Sequence, residues 1–408
     1  MKRPNPPEQL LGSSKTGVAH LELTSRCNLR CVYCAVSQPT YHGSDLDLRW
    51  FDDLIETLEQ RRVDFVYVNG HGETTMIDGW DDLANRLLGR GFKLGIVTNL
   101  SRPLSDPEID TLSHFEQLCV SCDTADPALF TALRRKAKLS VLLENQERIR
   151  QRAAQRSQSK QRISWSCVVS DRNVFGLADL VSLGIDHGVQ HFEFCNLTKY
   201  PDLPGVLNVS HISTLELNSM KQARQTIQKA LRSADKRRCT WSVQSGLLDL
   251  LEQRIHEQSE ARSAAPKPAV RHGRENNGGR TRLCLDPWSM LYVQADGVVR
   301  ACCWNLDPMG DLKGGDSLRR IADGAKLREL RRQLLIGELP PACQSCPARP
   351  WAPLARQERA VLRLLGEQSG LSGTLLWRQR RNVLLRALIS PLRSAMSSMR
   401  RAVADWQS

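Results

Sequence analysis

The chain has 408 residues, of which 41% are hydrophobic and 25% are charged, as in folded globular proteins. This length predicts two domains with extensions. No apolar run reaches the roughly 18 residues of a membrane-spanning helix, and the polar, proline-containing start lacks the apolar segment of a secretion signal. We therefore expect a cytoplasmic protein and exclude a secreted or membrane-spanning one.

Six short apolar runs alternate with amphipathic segments between residues 17 and 235. The runs are rich in Val, Ile and aromatic residues, as strands are, and several of the segments begin at an Asp or Ser typical of a helix cap. The predicted strands are GVAHLEL, DFVYVNG, KLGIVTN, QLCVSCD, ISWSCVV and HFEFCNL. The predicted helices are LRWFDDLIETLEQRR, DGWDDLANRLLGRG, SDPEIDTLSHF and FGLADLVSLGIDHG. The alternation predicts an α/β fold with a parallel sheet, open or curled.

Thirteen cysteines are many for a reducing compartment, where clustered cysteines are more often metal ligands than disulfides. The first group is Cys27, Cys31 and Cys34, directly after the first predicted strand. Three thiolates on one short loop can hold a cubane iron–sulfur cluster and leave its fourth iron open to a substrate. A zinc site completed by a distant ligand is the alternative.

A second group of four cysteines occurs late in the chain, at Cys284, Cys302, Cys343 and Cys346. Four thiolates suit zinc or an iron–sulfur cluster equally well. The neighbouring Cys303 is a spare thiol. Most of the remaining cysteines lie in apolar runs, where we expect buried, inert thiols; they are Cys119, Cys122, Cys167, Cys195 and Cys239.

The segment SRCNLRCVYCAVSQ resembles the signature of the radical S-adenosylmethionine (SAM) superfamily, including the aromatic Tyr33 before the third cysteine. The resemblance extends from about residue 17 to 350 and implies a partial (β/α)6 TIM-like barrel. It also implies that Cys27, Cys31 and Cys34 hold a 4Fe–4S cluster whose open iron binds the amino and carboxylate groups of SAM. Reductive cleavage of SAM then gives methionine and a 5′-deoxyadenosyl radical that abstracts hydrogen from the substrate.

The same resemblance implies a set of SAM contacts, at the ends of successive strands. These residues are Tyr33, Gly72, Glu73, Thr98, Asn99, Ser121, Asp123, Arg134 and Asn173. Two positions depart from the family pattern. His71 stands where the Gly-Gly-Glu motif has its first glycine, and Leu100 replaces the glycine of Thr-Asn-Gly. For Arg134 and Asn173, an exposed helix charge and a helix cap are the alternatives.

The late segment resembles the SPASM extension of radical SAM enzymes in its shortened "twitch" form. Pro287-Trp288 follows the first cysteine of this group, and Gly297 lies five residues before Cys302. Ala352 occupies the next expected ligand position, and no cysteine follows Cys346. The resemblance implies one auxiliary 4Fe–4S cluster, with zinc as the alternative.

A cluster closed by four protein ligands can accept an electron from a substrate radical while a base removes a proton. This combination favours a net two-electron oxidation. The weak candidates for the base are Glu193 and Cys195, which strand alternation puts on one face of the sixth strand. Ordinary packed or paired residues are the alternative for both.

For the substrate we expect a small polar molecule, such as a carbohydrate or cyclitol alcohol. The alternative is a peptide or protein, modified by a maturase of the SPASM type. A zinc-stabilised, basic nucleic-acid-binding protein is a third hypothesis, but no RNA-binding module is visible and nucleic acid is not expected as a partner. The resemblance further implies an electron donor such as flavodoxin or ferredoxin.

The predicted organisation is an N-terminal extension, a radical SAM core, a linker, an auxiliary cluster domain and a basic helical tail, at residues 1–16, 17–235, 236–283, 284–350 and 351–408. Ten Arg against three acidic residues give 353–408 a charge of +7, out of +13 for the chain. Apolar residues recur among these arginines at helical intervals. Such a tail can contact an anionic membrane surface, dock on a partner, or pack on its own core.

Overall fold

The computed structural model describes residues 6–12, 15–156, 160–197, 209–244, 247–261, 279–346 and 348–369. Much of the predicted linker (262–278) and most of the predicted tail (370–408) lie outside the described residues. The membrane or partner contact of the tail therefore stays a prediction.

The described chain contains strands and helices in alternation. The strands are β1 (Val18–Leu21), β2 (Arg30–Cys31), β3 (Phe65–Tyr67), β4 (Lys93–Thr98), β5 (Gln117–Ser121), β6 (Arg134–Arg135), β7 (Arg162–Val169), β8 (His191–Asn196), β9 (Thr240–Val243), β10 (Arg280–Arg282), β11 (Met290–Val293), β12 (Val298–Arg300), β13 (Gly310–Asp311) and β14 (Trp351–Pro353). The helices are α1 (Phe51–Gln60), α2 (Trp80–Gly89), α3 (Asp106–Ser113), α4 (Pro127–Leu133), α5 (Leu139–Ala154), α6 (Leu177–Asp186), α7 (Leu217–Lys236), α8 (Leu247–Ala261), α9 (Asp286–Ser289), α10 (Leu318–Ala322), α11 (Ala325–Ile336), α12 (Pro341–Gln344) and α13 (Leu354–Ser369).

One ten-stranded sheet runs through the molecule in the order β13-β12-β11-β1-β3-β4-β5-β7-β8-β9. All pairs from β11 to β9 are parallel, whereas β11, β12 and β13 pair antiparallel. The six predicted strands are confirmed as β1, β3, β4, β5, β7 and β8, and the four predicted helices as α1, α2, α3 and α6. The architecture is the α/β fold with a parallel-dominated sheet that the sequence predicts.

Three elements lie inside the predicted linker, residues 236–283, and one of them, β10, pairs antiparallel with β14. Strand β9 adds to the sheet in parallel with β8, and α8 packs against α7. The strand TWSV is short and half polar, because it forms the edge of the sheet, and it lacks the run of Val and Ile on which the other strands were predicted. The structure thus extends the core sheet beyond residue 235.

Alternate residues of each strand face the helices, and the residues between them face the opposite side of the sheet. In β7 the indole of Trp165 donates to Gln146 of α5 at 2.8 Å, and a Cβ on Gly184 of α6 would meet Phe192 at 2.7 Å. Ser164 and Ser166 point to the opposite side, the inside of the curved sheet, and are only half-buried. Polar side chains on this inner side are available to a ligand.

The late cysteine-bearing segment is joined to the core through the sheet itself. Strand β11 pairs with β1 over four residues. The buried Trp288 donates its indole N–H to the Leu10 carbonyl at 2.7 Å, and Arg331 donates to the Leu11 carbonyl at 2.7 Å. The N-terminal extension therefore packs against the segment that carries the second cysteine group.

Candidate functional site

The first cysteine group lies on the loop that follows β1. The Leu29 N–H donates to Cys27 Sγ at 3.4 Å, and Cys31 lies in β2, where its backbone pairs with Arg134 of β6. Burial raises the pKa of Cys27 to about 11 and that of Cys31 to about 12, and it raises the pKa of Cys34 as well. These thiols therefore hold their protons strongly, and binding of a metal centre displaces the protons.

The arrangement of these thiols bears on which metal centre they fit. Across the described ranges, no three His, Cys, Asp or Glu side chains converge as the ligands of a single metal ion would. In a cubane cluster each thiolate binds a different iron, so the ligands surround the cluster instead of meeting at one point. Three thiols on one loop can therefore serve as ligands of three different irons of such a cluster.

Two glycines let the loop after β3 lie directly against the cysteine loop. A Cβ on Gly72 would come within 2.3 Å of the Arg26 carbonyl oxygen, and one on Gly70 would come within 2.1 Å of Glu22 Oε1. The Glu73 N–H donates to the same Arg26 carbonyl at 2.8 Å. The backbone of NGHGE is thus held beside the residue that precedes Cys27.

Glu73, a predicted cofactor contact, fastens the loop after β3 to the end of β4. Its carboxylate accepts from Thr98 Oγ1 at 2.8 Å, from the Asn99 N–H at 2.7 Å and from the Thr75 hydroxyl at 2.9 Å. The group is buried, and desolvation raises its pKa despite these donors. Both oxygens are committed to the chain, so the side chain positions the loops around the site.

Asn99 connects this cluster of loops to the first cysteine. Its amide nitrogen donates to Asn28 Oδ1 at 2.9 Å and lies 3.8 Å from Cys27 Sγ. The next residue, Leu100, has a φ of +46° and is fully buried. The glycine of the family pattern is therefore replaced by a leucine in a left-handed conformation, in which L-residues are disfavoured.

Four further predicted residues form one buried network around Asp123. Its carboxylate accepts from the Tyr33 hydroxyl at 2.5 Å, from the Val168 N–H at 2.9 Å and from Arg134 Nη2 at 3.2 Å. Arg134 Nε also lies 2.8 Å from Asp123 Oδ2, at an angle unsuited to a hydrogen bond. Asn173 donates to the carbonyls of Asp123 and Val168, both at 2.9 Å.

The contacts of this network exclude the alternative roles of Arg134 and Asn173, an exposed helix charge and a helix cap. Arg134 is 6% exposed and lies in an ion pair, so it is no exposed helix charge. Asn173 uses its side chain to join β5 to β7, and it makes no side-chain cap bond to the short helix that follows it. Tyr33 connects the network to the cysteine loop, because this residue lies between Cys31 and Cys34 in the sequence and its hydroxyl donates to Asp123.

Ser121, Glu193 and Cys195 occupy the inner side of the sheet. Glu193 is exposed and Cys195 half-buried, while Phe192 and Phe194 are buried on the other face of β8. The registers place Ser121 beside Ser166, and Ser166 beside Glu193. Burial raises the pKa of Cys195 to about 12. Of the two candidates, Glu193 alone carries a carboxylate, a common general base.

A buried carboxylate that the sequence prediction missed lies where β1 meets β11. Glu22 is 1% exposed. It accepts from the Ala295 N–H at 3.0 Å and from the His71 N–H, and it lies 3.3 Å from His71 Nδ1. The hydrogen bond to Glu22 raises the pKa of His71. Glu22 thus joins the late segment to His71, the residue in place of the first motif glycine; the only signal in the sequence was a charged residue ending an apolar strand.

The second cysteine group lies at the ends of β10, β12 and α12. The Asn305 N–H donates to Cys302 Sγ at 3.3 Å, and the Cys284 N–H donates to Gln357 at 3.0 Å. Burial, followed by the charges of Cys302 and Cys346, raises the pKa of Cys343 to about 12. The mutual influence of these thiols indicates that they lie near one another.

Two arginines hold the Cys343–Cys346 loop in place. Arg282 donates to the Cys343 carbonyl at 3.1 Å and stacks over Trp351, with 4.3 Å from its guanidinium carbon to the ring centroid. Arg349 pairs with Asp286 at 2.6 Å. Gly297, predicted from the extension pattern, has a φ of +86°, and a Cβ there would meet Trp50 at 2.6 Å. The four thiols form a soft donor set suited to an iron–sulfur cluster.

Comparison with known families identifies both halves of the site. The model of the radical SAM superfamily matches residues 21–158, and the SPASM model, described as an iron–sulfur cluster-binding domain, matches residues 284–347. The protein is thus an enzyme of the radical SAM class. More particularly, the chain belongs to the radical SAM superfamily and carries a C-terminal SPASM domain; such a chain binds SAM and a 4Fe–4S cluster, with auxiliary iron–sulfur binding in the SPASM domain.

Individual relatives are similar over parts of the chain. A "Tungsten-containing aldehyde ferredoxin oxidoreductase cofactor-modifying protein" of Pyrococcus furiosus is 36% identical over 20% of this chain and 23% of its own length. An "S-adenosylmethionine-dependent nucleotide dehydratase" of Selenomonas ruminantium is 31% identical over 28% of this chain and 42% of its own. The aligned segments thus span less than half of either curated relative.

Among solved structures, SuiB of Streptococcus suis bound to its precursor peptide SuiA superposes with a TM-score of 0.55 at 13% identity, covering 78% of this chain and 67% of that one. This likeness supports the fold. None of the helices within the described ranges is long and apolar enough to cross a bilayer.

Proposed function

We propose that this enzyme oxidises a carbon of a small polar substrate by two electrons, with one SAM-binding and one auxiliary 4Fe–4S cluster. The observation that carries the proposal is the pair of cysteine groups joined by a single sheet, since β1 leads into the first group and β12, which pairs with β1's neighbour β11, leads into Cys302 of the second. We assign Cys27, Cys31 and Cys34 to the first cluster. The auxiliary ligands are Cys284, Cys302, Cys343 and Cys346.

The residues around the first group are assigned to holding SAM and the cluster in position. When bound, SAM and the reduced cluster supply a 5′-deoxyadenosyl radical that removes hydrogen from the substrate. The backbone beside Gly72 approaches the cysteine loop closely enough to serve SAM, and Glu73, Thr98 and Asn99 fix that backbone. The far side of the cysteine loop is fixed by the network of Tyr33, Asp123, Arg134 and Asn173. Ser121 lies on the adjoining inner face of the sheet.

The proton released in the oxidation needs an acceptor on the inner face of the sheet. Glu193 is exposed there and is flanked by Ser166 in the neighbouring strand. A carboxylate is ionised at neutral pH and can take a proton directly. Cys195, whose thiol contacts Ser166 at 3.3 Å, is assigned to hydrogen bonding of the substrate because burial keeps it protonated.

A peptide is the second candidate substrate. The solved structures that share this fold include SuiB with its precursor peptide and anSMEcpe with bound AdoMet and a peptide. The small-molecule proposal is preferred because the inner face carries closely spaced hydroxyl, thiol and imidazole groups on neighbouring strands. Turnover assays with polyols and with peptides, using flavodoxin or dithionite as the electron donor, discriminate between the two.

The test of the proposal is anaerobic reconstitution followed by iron and product analysis. We expect about eight irons per chain, as for two cubanes, and 5′-deoxyadenosine after reduction with SAM. The double variant Cys343→Ala/Cys346→Ala should hold about four irons and still cleave SAM. Cys27→Ala should abolish cleavage, and Cys303→Ala is the matched control, with wild-type iron content. Four irons in the wild type would refute the auxiliary cluster, and absence of 5′-deoxyadenosine under competent reduction would refute the radical chemistry.

A further inference from the structure

Arg300, at the end of β12, lies on the inner side of the sheet, two residues before Cys302 of the second cysteine group. Its register partner is Tyr292 of β11, which in turn pairs with His20 of β1, which pairs with Tyr67 of β3. Side chains in register lie on the same face of a sheet. The rings confirm that face, because His20 stacks on Tyr67 at 4.8 Å and meets Tyr292 edge-on at 5.8 Å.

The chain fixes the orientation of the Arg300 guanidinium but leaves one of its nitrogens without a hydrogen-bond partner. Its Nε donates to Gln294 Oε1. Its Nη1 is buried and has no hydrogen-bond partner, and no ion pair of Arg300 occurs among the described residues. A buried charged donor without a partner costs free energy, so a site that retains one usually offers it to a ligand.

The carboxylate of Glu22 does not fill this role. It is committed to the Ala295 N–H and to His71, whose imidazole Nδ1 lies 3.3 Å away. The rest of the register row is neutral, since burial lowers the pKa of His20 to about 4 and raises that of Tyr67. Arg300 therefore gives this part of the inner face a positive charge.

The location of this charge points to the substrate. Arg300 precedes Cys302 by two residues, and the Tyr292 beside it lies within the electrostatic influence of Tyr41 and Cys303. Tyr41 donates to the carbonyl of Ser25, at the base of the first cysteine loop, at 3.1 Å. Arg300 thus lies on the strand that leads to Cys302, and only β11 separates this strand from β1, which leads to the first cysteine loop.

We propose that Arg300 binds an oxyanion of the substrate, a carboxylate or a phosphate, and so holds the substrate between the two clusters. This inference rests on the proposed function for the position of the reaction. A planar guanidinium presents paired donors that match the oxygens of both groups. Gln294 holds Nε and leaves the Nη edge for the ligand, so the small polar substrate carries a negative charge.

The test compares oxyanion binding by the reconstituted, full-length protein and three variants. Isothermal titration calorimetry at constant ionic strength uses inorganic phosphate and acetate as separate probes, and the tighter one identifies the group on the substrate. Arg300→Gln removes the charge and should weaken binding about tenfold or more. Arg300→Lys keeps the charge without the fork and should fall between. Arg49→Gln, an 87% exposed arginine paired with Asp47, is the matched control and should match the wild type.

SAM titrations and unfolding temperatures of the same samples complete the design. If neither anion binds the wild type more tightly than Arg300→Gln, the proposal is overturned. It is also overturned if Arg300→Gln loses as much affinity for SAM as for the anion, because Arg300 would then belong to the SAM site. Failure of the proposed function appears separately, as absence of 5′-deoxyadenosine from the wild type.

Discussion

Substitutions of Leu100 by alanine and glycine test whether the backbone conformation beside the site constrains this residue. Leu100 is fully buried with a φ of +46°. Its N–H donates to Thr98 Oγ1 at 3.2 Å, and its carbonyl accepts from Asn145 at 3.0 Å. These bonds hold the chain in a region that costs an L-residue about 1–2 kcal/mol. The buried side chain must offset that cost.

Substitution by alanine and by glycine separates the two contributions. Leu100→Ala loses buried volume at a cost of about 2–5 kcal/mol and keeps the left-handed strain. Leu100→Gly relieves the strain, but it removes one buried carbon more, worth about 0.8 kcal/mol, and glycine costs about 0.5–1 kcal/mol more in unfolded-state entropy. The strain relief of about 1–2 kcal/mol offsets these losses, so the two variants should lie within about 1 kcal/mol of each other, with both less stable than the wild type.

The matched control is Leu94, which is equally buried but lies in the extended strand β4. There glycine should be less stable than alanine by about 1.3–1.8 kcal/mol, so the difference between the two variants should be clearly smaller at position 100. Urea unfolding of the cluster-free chain, followed by circular dichroism and by tryptophan fluorescence, measures the differences where the two probes coincide. An equal difference at both positions would refute the claim that backbone conformation constrains residue 100.

Three further predictions follow from the site and the tail. Gly72→Ala should lower iron retention and SAM binding because its Cβ would lie 2.3 Å from a backbone oxygen, whereas Gly89→Ala, with open space around it, should keep both. Because the folded pKa of His71 is raised by Glu22 above its ordinary 6.5, the pair stabilises the fold fully below pH 6.5 and loses this contribution as pH rises through the folded value. His71→Gln should flatten that part of the pH–stability curve, and an unchanged slope would contradict the pairing. Deleting residues 370–408 should reduce co-sedimentation with anionic liposomes if the basic tail contacts membranes, and unchanged partitioning would eliminate that hypothesis.

Local patterns in the sequence were sufficient for the elements that are buried on one or both faces. Each of the six predicted strands contains a run such as ISWSCVV, whose alternate residues Ile163, Trp165, Cys167 and Val169 are buried in β7. The cysteine spacing likewise identified the first loop, because its three thiols come from a short stretch of chain. Strand β9 lacked such a run because it is an edge strand with two exposed residues.

The contacts that sequence patterns could not predict join segments far apart in the chain. Glu22 accepts from Ala295, a residue 273 positions away, and Trp288 donates to Leu10 across 278 positions. Neither contact leaves a periodicity or a spacing in the sequence, since only the docking of β11 on β1 creates them. The role of Arg300 was hidden for the same reason: in VVRACC it is one arginine among many.

The parallel docking of β11 on β1 joins the two cysteine groups, which are distant in sequence, through one sheet. Parallel neighbours end at the same edge of a sheet, so the loops that follow β1 and β11 open on the same side. Strand β12 returns antiparallel from that edge and carries Arg300 and then Cys302 away from it. A substrate anion held at Arg300 would therefore lie along the path from the first cysteine loop to the second group, and a substrate without such an anion would have no charged anchor on this strand.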